Sequence, residues 1–462
     1  MNYKALERSI YKLYVFFLPF DRFIEFPFGD FINSILISFS SLLMLLGMVL
    51  IIYRGWFYYS NGIRVFCYLC IFMTMYSFII SLLLHSELGV INGEDSFTAI
   101  RGDIILYFLA LASIYYNYYN LSYNVNFNQL KNIFKTQIII LLIIGYLQLA
   151  SMSGYSLATN IYTFLSSFLS LKKLEYLVLL DRGVTLFGSE PASVSILCFI
   201  IIPYTISQIY CNRKRFGYLI VYVIIYVLFA ILFLLSNSTQ ALISFLVITV
   251  VGGIIILRHN IHTYIYILFF SLGLFMAILY SADSFSKTSN MQNKTFAYTI
   301  YGKLLDRSNQ STAMRVSTII NDMKVFYENP ILGVGNGNQG FFYNKNLPAW
   351  TLKSGEVQTI RSGKKGIVNG GGNFFPAYIS AFGLVGIIVI ILFTNLYIKQ
   401  YKKSFLQNDI NAKIMFQLGI ILFLISSWYV VGVKQNETIL FLLSLPCVIS
   451  DDFNQNKKIT KL

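Results

Sequence analysis

The chain has 462 residues, 56% hydrophobic and only 12% charged, with a mean hydropathy of +0.65. A water-soluble domain of that length needs far more polar surface, and the apolar residues fall in continuous runs of about 20, the span of a bilayer core, not in the alternation of a barrel. The formal charge of +15 does not read as a nucleic-acid surface, because outside one long loop the cations sit in short connections between apolar runs, the pattern that orients membrane helices.

The fold class expected is an all-α polytopic membrane protein of about 12 spans, at 9–27, 33–53, 64–84, 100–116, 133–150, 191–210, 217–235, 239–257, 263–281, 374–398, 412–432 and 437–451. The first span follows Lys4, Arg8 and Lys12 and lacks a small-residue cleavage site, so it reads as a retained helix. Arg54, Arg64, Lys131, Arg213, Lys214, Arg215, Arg258, Lys399, Lys402, Lys403 and Lys413 all fall on the side of the N-terminus. The opposite connections carry Asp30, Glu87, Glu94, Asp95 and the uncharged Ser236-Asn237-Ser238-Thr239. Both termini are therefore expected in the cytoplasm, with the long loops outside. Three regions follow: spans one to nine in 1–281, including an outer loop at 151–190; a large outer loop at 282–373; and spans ten to twelve with a cytoplasmic tail in 374–462.

Cys67 and Cys70 share a spacing with redox and zinc motifs but lie inside an apolar span, where buried packing is the better reading. The three histidines, His85, His259 and His262, all lie outside the large loop, so no metal site is expected there.

The large loop carries the chemistry-bearing residues. An amphipathic helix is predicted at 311–329, with an apolar stripe of Val316, Ile319, Ile320, Met323, Phe326 and Tyr327 turned to the membrane domain and Arg315 at its edge. Asn329-Pro330 ends it, and the glycines of Gly333-Val334-Gly335-Asn336-Gly337-Asn338 permit a tight turn. A phosphate cradle in this turn lacks the strand, lysine and hydroxyl of a nucleotide loop. Arg361, Lys364 and Lys365, then Gly370 to Asn373, close the loop as a flap over a diphosphate or as a solvated charged face. Upstream, Arg182 and Glu190 bracket the entry to the sixth span. Glu190 before Pro191 is an ordinary helix start, and equally a carboxylate placed to take a proton while Arg182 binds phosphate. Arg101 opens the fourth span beside Asp103, as a snorkelling charge or a substrate contact.

In this order the pieces resemble the O-antigen polymerase (Wzy) and O-antigen ligase (WaaL) superfamily. The resemblance runs over about residues 100–400. It rests on Arg182 to Pro191 as R-G…F-G-x-E-P, Ser236 to Thr239 at a span start, Arg315 followed by Asn329 to Gly337, and Asn373 entering a span with Gly383-Leu384-Val385-Gly386. It implies a GT-C-like membrane glycosyltransferase using undecaprenyl-diphosphate-linked oligosaccharide at the outer face of the inner membrane, without a cofactor, bound metal, nucleotide sugar or nucleic acid. Membrane lipid, a chain-length regulator and a flippase are the further partners it suggests. Arg182 and Arg315 match arginines that engage the diphosphate, Glu190 is the candidate base, and Arg101, Arg361, Lys364 and Asn373 are the candidate substrate contacts. The ligase branch usually has a histidine before that asparagine. Gly372 stands there in this chain, which favours an oligosaccharide repeat-unit polymerase over a ligase joining glycan to lipid A-core. The different-class alternative, a polysaccharide flippase or other carrier, predicts paired halves, and the halves of this chain are unlike.

Overall fold

A computed structural model describes residues 3–20, 38–54, 61–91, 93–168, 171, 183–187, 191–257, 310–362, 374–427 and 437–449. Among the described residues the α-helices of seven residues or more are α1 (Tyr3–Phe17), α2 (Phe39–Tyr53), α3 (Asn61–Leu88), α4 (Ser96–Tyr123), α5 (Phe127–Met152), α6 (Ser156–Phe168), α7 (Ile201–Cys211), α8 (Phe216–Leu234), α9 (Thr239–Leu257), α10 (Gln310–Glu328), α11 (Gly355–Arg361), α12 (Phe374–Lys403), α13 (Ile410–Ser426) and α14 (Glu437–Ser444). Among the described residues seven helices are long and apolar enough to cross a bilayer, α3, α4, α5, α8, α9, α12 and the Ala192–Cys211 stretch that holds α7; α2, α13 and Glu437–Cys447 are shorter apolar helices. The expected span at 263–281 lies outside the described residues.

Burial ranks these helices. Ala192–Cys211 has 89% of its apolar window inside the protein against 28% for α8, so it is the central post and α8 faces outward. Every residue from Ile201 to Tyr210 is buried. The post begins as a 3-10 turn, Pro191–Cys198, and straightens into α7, which α13, α8, α9 and α5 surround.

Two span boundaries move. Asp95, not residue 100, starts α4: its carboxylate accepts from the Thr98 amide at 2.8 Å, an N-cap that hydropathy does not register. Arg101 and Asp103 therefore lie inside the helix. The expected run at 437–451 is instead the short α14, a 3-10 turn at Leu445–Cys447 and a bridge between Ser404 and Ile449.

One end of the bundle is fixed by charge. Arg54 pairs with Glu7 at 2.9 Å and Lys131 with Asp409 at 3.1 Å, near the α4–α5 turn and the start of α13. Because that turn is tight, α4 begins and α5 ends at the opposite end, where the 310–362 segment sits.

Candidate functional site

The site is assembled around α10. Its buried face reads Ala313, Ser317, Thr318, Asn321, Asp322 and Val325, a polar stripe at helical spacing. The apolar stripe expected to face the membrane domain does not: Tyr327 is 86% and Met323 41% exposed, and the other four are half-buried. The reason is hydrogen bonding. Asn321 donates to the Gln339 carbonyl at 3.0 Å and accepts from Asn346 at 3.1 Å, while Ser317 meets the Tyr343 hydroxyl at 2.7 Å. A polar face with partners is as buriable as an apolar one.

After α10 the chain dives into the bundle. Gly333, Gly335 and Gly337 are all left-handed, with φ of 67°, 76° and 93°. Here α12 is broken at Gly383, whose φ of 57° and ψ of −150° belong to glycine alone. The break frees backbone groups, and the turn satisfies them reciprocally. Val334 and Gly335 donate to the Ser380 and Ala381 carbonyls at 3.1 and 2.9 Å; Leu384 and Val385 donate to Pro330 and Ile331 at 2.8 and 3.3 Å. Irregular backbone at membrane depth is tolerable when protein closes over it in this way.

The turn is not a phosphate cradle. Its remaining amides are also taken: Gly333 by Asn329, Asn336 by the Ser77 hydroxyl, Gly337 by Gln339 and Asn338 by Gly335. Side chains lock it further. Asn336 donates to the buried Asp103 of α4, and Asn338 to Ser81 of α3 at 2.7 Å.

Arg315 is half-buried on α10, two helical turns before Asp322 and within about 20° of it around the axis. Arg361 is exposed at the end of α11, whose Val357 packs with Ala313. Each arginine thus lies within a helical turn of that contact. Arg101 is exposed in the second turn of α4, two residues from the Asp103 that holds Asn336. The fold brings Arg101, Arg315 and Arg361 to one end of the bundle. Arg182, Glu190, Lys364 and Asn373 lie outside the described residues.

Their described neighbours are firmly placed. Gly183 lies so close to the Leu235–Ser236 backbone that a Cβ would stand 2.3 Å from it, and Val184 donates to the Leu235 carbonyl at 3.2 Å. Gln148 of α5 accepts from the Thr185 and Leu186 amides, both at 3.1 Å, and Leu186 is left-handed at φ 53°. Two motif pieces some fifty residues apart, 182–191 and 236–239, therefore touch. On the other flank Phe375 donates to the Ser427 carbonyl at 3.1 Å, tying the start of α12 to the end of α13.

Two carboxyl groups escaped the sequence reasoning. Asp322 is fully buried; Asn321 approaches one oxygen at 3.4 Å, and the other has no partner among the described residues. Burial pushes its pKa up to about 8, against a smaller lowering by Asn321. Burial likewise raises the nearby Tyr343. Glu437, at the start of α14, accepts from Tyr14, Ser41 and Ser113 at 3.2, 3.2 and 2.5 Å, three hydroxyls from α1, α2 and α4. An acid at a helix start gave no signal, since the donors come from remote parts of the chain. Among the described residues no three His, Cys, Asp or Glu side chains cluster as metal ligands.

Residues 223–360 match the family model Wzy_C, described as O-antigen ligase. The matched stretch takes in the 236–239 turn, Arg315, Asp322 and the glycine turn, and it stops short of Arg361. No curated protein and no solved structure matches the chain.

Proposed function

From the match of residues 223–360 to an O-antigen ligase family model, together with the membrane-length helices, we propose that the chain belongs to the O-antigen polymerase/ligase superfamily of membrane glycosyltransferase-like enzymes and is a repeat-unit polymerase. It transfers a growing glycan from undecaprenyl diphosphate to the non-reducing end of a new lipid-linked repeat unit, on the outer side of the inner membrane. The acceptor hydroxyl attacks the anomeric carbon, the bond to the diphosphate breaks, and the lipid diphosphate leaves with the electron pair. Arg182 and Arg315 offset the charge growing on that leaving group, and Glu190 takes the hydroxyl proton. Arg101, Arg361, Lys364 and Asn373 contact substrate.

The observation that carries this reading is the clasp between the glycine turn and the break in α12. It holds the Arg315-bearing helix against the membrane domain at the end of the bundle where Arg101 also lies. An arginine fixed in that way is preorganised for a diphosphate at headgroup depth.

The test is elongation of a synthetic polyprenyl-diphosphate repeat unit by the purified protein in lipid vesicles. Arg315→Ala is expected to lower the rate by about 100-fold or more, the size of effect that loss of one preorganised electrostatic contact has elsewhere. An undiminished ladder at equal protein level refutes the assignment. The ligase reading is favoured by the description of the matched family and opposed by Gly372. Cells lacking the protein decide between them: surface chains capped with one repeat unit mean polymerase, and no attached chains mean ligase.

A further inference from the structure

α6 is divided lengthwise into three sectors. Ala158, Tyr162 and Leu165 turn to the protein, and Tyr162 is fully buried. Leu157, Ile161 and Phe164 recur at i, i+4 and i+7 within about 60° of arc, yet are 73%, 43% and 63% exposed. Ser156, Asn160 and Thr163 form the third sector, polar and exposed, adjacent to the second. Water alone does not suit the second sector, and hydrocarbon alone does not suit the third. The surroundings that satisfy all three are protein on one side, acyl chain on the next and water on the last.

Position agrees. α6 starts four residues after Met152, the end of the membrane-length α5, and the chain turns there at Gly154, φ 85°. Tyr155 is exposed at the corner, and tyrosine favours the bilayer boundary.

We propose that α6 lies in the bilayer interface as an anchor, with Leu157, Ile161 and Phe164 seated in bulk phospholipid. The anchor sets the depth of the 183–187 segment. Gln148 is the coupling: its Nε2 donates to the Tyr162 hydroxyl and to Thr185 Oγ1, both at 3.1 Å, while its Oε1 accepts from the Thr185 and Leu186 amides. One buried amide thus joins the lipid-seated helix to the segment that precedes Glu190.

The experiment uses the full chain in phosphatidylethanolamine–phosphatidylglycerol vesicles containing a phospholipid with a diazirine near the headgroup end of its acyl chain. Illumination followed by peptide mapping is expected to give adducts on Leu157, Ile161 and Phe164 and none on Ser156, Asn160 or Thr163. Labelled spans with an unlabelled α6, or equal labelling of both sectors, overturn the anchor. Replacing Ile161 and Phe164 together by Asp is expected to remove the α6 adducts and leave those of the spans; persisting α6 adducts also overturn it. For the coupling, Tyr162→Phe and Gln148→Leu are each expected to speed hydrogen exchange at the Thr185 and Leu186 amides, by about tenfold in the latter. Unchanged exchange in both variants overturns the coupling. Neither readout depends on the transfer reaction, so the anchor stands or falls apart from the polymerase assignment.

Discussion

Asp322 is the residue whose chemistry departs furthest from what its type suggests. Its carboxyl is buried in the loop, one oxygen without a partner among the described residues, and burial disfavours the charged form so that its pKa rises to about 8. The folded state therefore holds a proton that the unfolded chain has released across the interval between its ordinary range and about 8. The loop is expected to gain stability as pH falls through that interval and to lose it as pH rises towards 8. Asp322→Asn is expected to abolish this dependence, read as protease resistance of the 310–362 segment between about pH 6 and about pH 9. A wild-type loop with flat resistance over that range contradicts the assignment. Glu437 presents the opposite case, an acid well supplied with donors. Glu437→Ala removes the acceptor shared by Tyr14, Ser41 and Ser113, at about 0.5–1.5 kcal/mol per hydrogen bond, because Tyr14 keeps Asn117 and Ser113, and Ser41 keeps Ser38. Thermal inactivation of the solubilised protein is expected to fall sharply in temperature for Glu437→Ala and less for Glu437→Gln, which keeps an acceptor oxygen. Neither carboxyl was legible in the sequence. Hydropathy assigns a polar residue to water; the hydroxyls that make Glu437 buriable come from elsewhere in the chain, and Asp322 is carried inward on the face that Ser317 and Asn321 bury.

At the scale of elements, α10 shows what periodicity can and cannot reveal. The expected helix at 311–329 appears as Gln310–Glu328, because the break at Asn329-Pro330 is a local property. The face it buries is not local. Ser317 and Asn321 point inward since the 339–346 stretch offers hydrogen bonds there, and the spacing of apolar residues along the helix carries no trace of those partners. The glycines were similarly half-readable. A tight turn followed from their number, whereas its role as the mate of a broken helix depends on Gly383, about fifty residues on. The clasp makes a sharp prediction. A Cβ on Gly383 would stand 2.4 Å from the Ile331 carbonyl oxygen, in a backbone conformation reserved for glycine. Gly383→Ala is expected to cost about 1–3 kcal/mol in strain alone and to open the four-bond clasp. New proteolytic cleavage between residues 328 and 340 is the readout. Gly102→Ala is the control: that glycine is helical with nothing within 4 Å, so the substitution is expected to be neutral or slightly stabilising.

Across the whole molecule, the two ends of the bundle differ in how they are held together. One is laced by charge, through Arg54–Glu7, Lys131–Asp409 and the amide contact of Gln208 with Asn411. The other is laced mainly by backbone groups and by asparagine and glutamine side chains, through the clasp at Gly383, the Asn336 and Asn338 locks and the Gln148 knot, with the Lys345–Glu328 pair on its surface. The connections at the first end also carry the lysines and arginines for which that end is expected in the cytoplasm. The segment bearing Arg315 would then face outwards, where a lipid-linked glycan is expected. The span count of 12 is not needed for this argument, because α3, α4, α5 and α12 already relate the two ends. Two exposed residues test it directly. Tyr327 lies on α10 at the clasp end, 86% exposed, and Phe216 follows Arg213, Lys214 and Arg215 at the opposite end, 76% exposed. Tyr327→Cys is expected to react with a membrane-impermeant maleimide in intact spheroplasts, and Phe216→Cys only after permeabilisation. The five native cysteines are buried or half-buried and set a low background, which the unsubstituted protein measures. The reverse pattern would put Arg315 in the cytosol, where no diphosphate of an exported lipid-linked glycan could reach it.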